Sequence, residues 1–414
     1  DAAAGVTAED QSPPAPGGAG PARSPGGALL RLGLRNFRNH ADTHIRTDGR
    51  HVCLYGANGA GKTNLLEAIS VMSPGRGLRG ADLVELVGSG DASSLRRGWA
   101  VSADMSDGAL ARRVQVALEV DEDGRSRRAA WLDDAPASAA DLAELVRVIW
   151  LTPAMDRIFA GPAGDRRRFF DRQVLAHVPT HGAASAAYEK AMRQRNVLLE
   201  QARPEASWLD GVEAAMARAG AQVAANRARV LVGLRDAIAR RPGGAFPKAG
   251  LSLEGAAEAA ILAGADPAET EADLARALRA GRSRDAAAGR ALDGVHRSDL
   301  KVRHEAKNMP AETCSTGEQK ALLIALVLAN AHVLTKGALA GGEALLGGDF
   351  APKPLLLLDE AAAHLDSDRR AALYDELADL GGQAWLTGTD RSLFDAFGTR
   401  AQRFEVADGQ VRET

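Results

Sequence analysis

The residues of this chain best suited to chemistry are a glycine-punctuated run that ends in a lysine and a threonine: Gly56-Ala57-Asn58-Gly59-Ala60-Gly61-Lys62-Thr63. The spacing is that of a phosphate-binding loop. It lies where such a loop must lie, after a predicted strand from His51 to Tyr55 and before a predicted helix from Thr63 to Met72. Glycines let successive backbone N–H groups turn towards one point, and a helix N-terminus adds a dipole that favours an anion there. Lys62 would carry positive charge to the outer phosphates, and the Thr63 hydroxyl would ligate magnesium. An ordinary strand-turn-helix glycine turn needs neither residue at those places. Asn58 either shapes the loop or is a generic turn-forming asparagine.

Two further segments could complete such a site. Pro354 to Glu360 is a continuous apolar run ending in two acids, the pattern of a central parallel strand covered on both faces. At its carboxyl end Asp359 would hold magnesium through water and Glu360 would orient or deprotonate an attacking water; alternatively, Glu360 merely begins the next helix. Ser315-Thr-Gly-Glu-Gln-Lys320 precedes an apolar helix from Ala321 to Leu334, and Ser315 with Glu318 forms the pattern of a capping box. A helix N-terminus of this kind is also an anion site.

The elements that must position these groups follow from periodicity. Leu30, Leu32 and Leu34 alternate as in a strand, Val114–Val120 and Ala129–Leu132 suggest a hairpin turning at Asp121–Gly124, and Arg147–Leu151 is a further strand. Between Ser185 and Arg241 the pattern becomes helical, with Val212, Met216, Val223, Val230, Leu234 and Ile238 on one stripe after a break at Pro204. No heptad repeat is sustained there, so a helical hairpin is expected and a long coiled-coil arm is not. From Ser315 the α/β pattern resumes. The expected fold class is α/β, a P-loop ATPase head with an inserted, mainly helical lobe. Its expected parts are a disordered tail at 1–27, a first ATPase part at 28–183, the helical insertion at 184–289 and the completing ATPase part at 290–414.

Composition narrows the classes of function. With 414 residues and a formal net charge of -3 there is no global basic field, so any nucleic-acid binding must rest on a local patch. The two cysteines, Cys53 and Cys314, have no metal-ligand spacing and read as thiols in a reducing compartment. No apolar run is long enough to span a bilayer. The Ala-, Pro- and Gly-rich first segment lacks the basic start and apolar stretch of a secretory signal.

The order phosphate loop, Ser315 helix, acidic strand and then His364-Leu-Asp366 resembles the ABC-type ATPases. Local segments make the chain similar to the RecF family in particular, from about Leu29 to Val411. These are Leu34-Arg-Asn-Phe-Arg-Asn39, Gly56-Ala-Asn-Gly59, Thr152-Pro153, Gly161-Pro162, Arg166-Arg-Arg-Phe-Phe-Asp171, Gln194-Arg-Asn196, Gly294-Val-His-Arg297 and Ser315–Lys320. The similarity is weakest in the helical lobe and in Gly337–Gly348. The resemblance implies ATP and magnesium as cofactors, an ATP-dependent homodimer, double-stranded or gapped DNA as a partner, RecR and RecO as mediators, RecA downstream, and a cytoplasmic setting. Carried over by position, Gly56, Ala57, Asn58, Gly59, Ala60, Gly61, Lys62, Thr63 and Asn64 hold nucleotide, with Thr63 and Asp359 on the metal. Ser315 and Gly317 act across the dimer, Asp359 and Glu360 serve hydrolysis with Lys62, and Asp366 lies at the dimer interface.

Thr387 stands where many ABC proteins carry a switch histidine, and no glutamine adjoins Thr152-Pro153; both departures imply slow hydrolysis. Arg166, Arg167 and Arg168, with Arg193 and Arg195, are candidates for phosphate-backbone contact, although a run of charge is commonly a solvated face. His296 and Arg297 are open between core and interface roles. A transporter ATPase subunit is the competing class, opposed by the long gap from Thr63 to Ser315; an SMC-type head would need a coiled coil in that gap. A scaffold without nucleotide chemistry is opposed by Lys62 and the two strand-end acids.

Overall fold

The computed structural model describes residues 27–88, 97–121, 123–201, 205–336, 353–363 and 365–414. All of the first segment before Gly27, Pro204, the stretch from Gly337 to Gly348 and His364 lie outside the described residues.

The chain begins with strands β1 (Ala28–Phe37), β2 (His40–Arg46) and β3 (His51–Tyr55), and helix α1 (Lys62–Ser70) follows the glycine loop. Strands β4 (Ala100–Ser106), β5 (Ala111–Val120), β6 (Ser126–Leu132) and β7 (Ala135–Pro136) lead through α2 (Ala139–Leu145) to β8 (Val148–Leu151). Helices α3 (Ala163–His177), α4 (His181–Leu199) and α5 (Ala206–Arg240) precede β9 (Ala249–Glu254), and α6 (Ala256–Leu262), α7 (Pro267–Ala280) and α8 (Arg282–Ala288) come next. Then follow β10 (Asp299–His304), β11 (Met309–Pro310), α9 (Thr316–Lys336), β12 (Leu355–Leu358), α10 (Ser367–Leu380), β13 (Gln383–Gly388), β14 (Ala401–Ala407) and β15 (Gln410–Glu413).

Three sheets organise these elements. One runs β15-β14-β3-β13-β12-β8, with every pair parallel except the terminal β14–β15 hairpin. The second is antiparallel, β2-β1-β4-β5-β6-β7, and contains the expected hairpin, with Val116 opposite Ala130. The third is the small sheet β11-β10-β9.

The apolar run at 355–358 shows why both faces of the parallel sheet need hydrophobic side chains. Because successive strand residues point to opposite faces, Leu356 and Leu358 join one core with α3, α5, α9 and α10, while Leu355 and Leu357 join another with α1 and the antiparallel sheet. The helical stripe is divided in the same way: Met216 and Val223 enter a local cluster with Tyr188 and Leu278, whereas Val230, Leu234 and Ile238 enter the core beside α9. Among the described residues no helix is long and apolar enough to cross a membrane.

Burial of histidines gives the fold a pH dependence. Burial, with the Arg400 charge adding to it, pushes His51 from its ordinary 6.5 down to about 4. Burial likewise pushes His177 down to about 4, against a hydrogen bond in which its Nε2 lies 2.6 Å from Asn330 Oδ1. The folded state therefore holds both rings neutral where the unfolded chain would protonate them. Their contribution is fully present above pH 6.5 and is lost as pH falls towards 4, the loss reaching about 2 kcal/mol for each ring at pH 5. Urea midpoints at pH 7.5 and pH 5 should separate accordingly, and His177→Gln should reduce the separation by that one ring's share, about 2 kcal/mol. An unchanged separation in that variant would remove His177 from the account.

Candidate functional site

The phosphate loop leaves β3 and is shaped from outside as well as by its own glycines. Gly56, Gly59 and Gly61 have φ of 147°, 84° and 111°, a region that side chains rarely adopt. A Cβ at Gly56 would sit 2.2 Å from the Val406 carbonyl of β14, and one at Gly61 would meet Asn39 at 2.7 Å and His40 at 2.8 Å. The β1–β2 turn thus buttresses the loop: Asn39 Nδ2 donates to Ala60 O at 3.1 Å, and His40 Nε2 lies 3.1 Å from Gly61 O. From the other side the Gly409 amide, in the β14–β15 turn, donates to Ala60 O at 3.2 Å. Asn64 Nδ2 donates to Asn39 Oδ1 at 2.7 Å, which ties the first turn of α1 to the same turn.

The loop itself is a nest of donors. Among the described residues no chain acceptor is taken by the amides of Gly59, Gly61, Lys62 and Thr63. Lys62 is buried, and its Nζ donates to Gly56 O at 2.6 Å and Ala57 O at 2.8 Å. Burial holds its ammonium below the ordinary lysine value, while Glu360 and Asp359 pull it back up. A charge at the end of a flexible chain, held only by two carbonyls, can be re-aimed at an anion placed in the loop.

Three strand ends bring the acids to this loop. Because β3, β13 and β12 are adjacent and parallel, Gly56, Thr387 and Asp359 emerge on one carboxyl edge. Thr63 Oγ1 donates to Asp359 Oδ1 at 2.9 Å, and Thr387 Oγ1 donates to the same oxygen at 2.7 Å. The Glu360 amide donates to Thr387 Oγ1 at 2.9 Å, and Glu360 itself has φ of 50°, a left-handed conformation unusual for glutamate. A hydroxyl and a carboxylate in contact at the mouth of a donor-lined loop form a hard-oxygen pair of the kind magnesium takes together with phosphate oxygens.

The remaining sequence-predicted residues lie elsewhere. Ser315 and Gly317 are exposed at the start of α9. The capping box is present: the Glu318 amide faces Ser315 Oγ at 3.4 Å, and the Ser315 amide donates to Glu318 Oε2 at 2.9 Å. Lys307, the Ser315 amide and the Ser315 hydroxyl, which lies 3.0 Å from Glu318 Oε2, hold the Glu318 carboxyl well below the usual carboxylate range. No hydrogen bond joins Ser315 or Gly317 to the phosphate loop among the described residues. Asp366 is the exposed N-cap of α10, accepting from the Arg369 amide at 2.8 Å.

Two of the proposed DNA contacts are corrected. Arg166 is buried and holds Asp299 with two bonds of 2.7 Å, while also donating to Phe159 O at 3.0 Å; its charge closes α3 onto β10. Arg195 has no exposed surface and is bonded to Glu213, Asp285 and Leu278 O. Neither can reach a nucleic-acid backbone. Arg167 donates to Ser298 O at 3.0 Å, and Arg168 and Arg193 are exposed and pair with Asp165 and Glu189. His296 is a structural group, 2.8 Å from Tyr188 Oη and 3.2 Å from Ala291 O. Sequence reasoning missed His40 and Gly409, which reach the loop from 21 positions before Gly61 and 349 positions after Ala60 only because the fold brings both turns against it; no local motif signals that.

Residues 28–398 match the family model described as the RecF/RecN/SMC N terminal domain. The chain is 48% identical over 386 residues to the DNA replication and repair protein RecF of Caulobacter vibrioides, covering 92% of this chain and 97% of that protein. It is 46% identical over 387 residues to the protein of the same name from Rhizobium meliloti, covering 92% and 98%. Among solved structures, the recombination mediator protein RecF-ATP of the RecFOR pathway superposes with a TM-score of 0.76 at 21% identity, covering 94% of this chain and 98% of that one. The fold is accordingly that of an ABC-type ATPase head.

Proposed function

The chain belongs to the RecF family, and from that premise we propose that it is an ATP-dependent DNA-binding protein of replication and recombinational repair. In this reading it dimerises head to tail around two ATP molecules, hydrolyses them slowly, and helps load a recombinase at gapped DNA. RecR and RecO are its mediators, RecA acts downstream, and the setting is the cytoplasm. The elements from 184 to 289 serve as a second lobe inserted between 28–183 and 290–414; that division is supported by their own hydrophobic cluster around Tyr188, Met216 and Leu278.

The observation that carries this reading is a site that is half built within one chain. The phosphate loop, Thr63, Asp359 and Glu360 converge on one sheet edge, while the Ser315 helix start is exposed and bonded only locally. A second copy placed head to tail would set that exposed N-terminus, with its free amides and dipole, against the outer phosphate. Gly317, around whose Cβ position nothing lies within 4 Å, leaves room for such an approach.

Within the loop the amides of Gly59, Gly61, Lys62 and Thr63 bind phosphate oxygens and Lys62 leaves its two carbonyls for the outer phosphate. Thr63 and Asp359 would hold magnesium, which when bound supplies positive charge to the phosphate oxygens. Glu360 orients the attacking water and accepts its proton. Ser315 and Gly317 of the second copy complete the ring of donors, and Asp366 borders the same interface.

Sedimentation of the full chain with a gapped duplex, in ATP, in ADP and without nucleotide, tests the reading. Dimers and DNA complexes are expected in ATP alone, and Glu360→Gln should prolong them by slowing hydrolysis. An ATP-dependent dimer indifferent to DNA would sink the DNA part, and a chain that ignores ATP would sink all of it.

A further inference from the structure

We infer that Thr387 is a positioning residue: its single hydroxyl sets both the metal-facing Asp359 and the water-orienting Glu360, and does not contact phosphate. The inference rests on the ATPase reading above, since it concerns how that site is held.

A threonine hydroxyl has one hydrogen to give and lone pairs to accept with. Here both capacities are committed within the chain. The hydrogen goes to Asp359 Oδ1 at 2.7 Å, and the oxygen accepts the Glu360 amide at 2.9 Å. Thr387 is buried in β13, between β3 and β12, with about 1% of its surface exposed. A group so placed and so occupied has no donor left for a nucleotide.

What the hydroxyl does is fix two neighbours at once. Asp359 Oδ1 accepts two hydroxyl hydrogens, from Thr63 and from Thr387, so one carboxylate oxygen is pinned between the start of α1 and β13 and the carboxylate is held at the loop mouth. The Glu360 amide is drawn towards β13, which goes with the left-handed backbone at φ 50°. That conformation is disfavoured for a side-chain-bearing residue and persists only where surrounding contacts hold it. Without the hydroxyl, Glu360 loses the bond that sets its backbone, and its carboxylate loses its aim.

The expected signature is a split between turnover and binding. Thr387→Val keeps the branched shape and removes both hydrogen-bonding capacities. In this variant kcat should fall on the order of 10²-fold, the cost of misplacing a catalytic group by about an ångström. The affinity for ATP and the ATP-dependent dimer should stay within about threefold of wild type, because the loop amides and Lys62 are untouched. Thr387→Ser, which keeps the hydroxyl, should restore kcat to within about threefold.

Turnover of the full chain, ATP affinity and sedimentation would be measured for wild type and both variants. Wild-type kcat in Thr387→Val, an equal loss of kcat and affinity, or a serine variant as impaired as the valine one would each overturn the inference. If Thr387→Val does not fold, Thr387→Cys takes its place under the same criteria. A wild-type chain that binds no ATP would instead overturn the reading beneath it, which keeps the two failures distinct.

Discussion

Lys62→Ala is expected to abolish ATP-dependent dimerisation while leaving the chain folded. The lysine is buried, yet its two hydrogen bonds go to the carbonyls of Gly56 and Ala57 within its own loop, and no element of the core is tied through it. Its desolvation opposes what Asp359 and Glu360 return, so its removal should have little effect on the nucleotide-free fold. With nucleotide the position is different. A charge-assisted bond to phosphate is worth roughly 1.5–3 kcal/mol, which corresponds to about a 10- to 150-fold loss of affinity. At ATP about 100 times the wild-type Kd, binding should stabilise the wild-type chain by about 2.7 kcal/mol and the variant by only about 0.3 to 1.4 kcal/mol. Thermal unfolding with and without ATP, paired with sedimentation, reads both effects. A variant that still dimerises in ATP would show that Lys62 does not carry the outer phosphate.

The second large effect is structural and concerns an arginine that the sequence alone offers as a DNA contact. Arg195→Met should cost about 3–5 kcal/mol, the penalty for breaking a buried ion pair and stranding its partners. Arg195 on α4 holds Glu213 of α5 at 2.8 Å, Asp285 of α8 at 2.7 Å and the Leu278 carbonyl of α7 at 2.7 Å, so one guanidinium ties four helices together. Both acids have about 3% of their side-chain surface exposed; Glu213 keeps a second cation close by, Arg282 at 2.6 Å, while the second cation of Asp285, Arg284, stands off at 3.9 Å. Arg193→Met, two residues away on the exposed face, should change stability by less than about 0.5 kcal/mol, since among the described residues Arg193 pairs only with the exposed Glu189 one turn earlier. Denaturant midpoints of the two variants make the comparison. Equal stability in both, with DNA affinity reduced in Arg195→Met, would reinstate Arg195 as a nucleic-acid contact.

This pair shows where sequence reasoning stops. Arg193 and Arg195 are the same residue type on one helix, but two positions apart they lie about 200° around the axis, so one faces solvent and the other the interior. A basic run carries no label for which of its members finds an acid. Arg166 makes the same point: in the run Arg166-Arg167-Arg168 it alone meets Asp299, which is 133 positions further along the chain.

The amino-acid sequence by itself determined the phosphate loop, the capping box at Ser315, the apolar strand ending in Asp359 and Glu360, and the helical character of the segment after Ser185. Each is a local pattern in which a few neighbouring residues meet a fixed geometric need, a positive φ, a reciprocal cap or a strand covered on two faces. Tertiary structure alone decided that Thr63, Thr387 and Asp359 share one oxygen, that Asn39, His40 and Gly409 brace the loop, and that Arg166 and Arg195 are internal. The reason is that hydrogen bonds and ion pairs act over about 3 Å, and which distant groups come that close is set by the order in which parallel strands lie side by side and by how helices close over them.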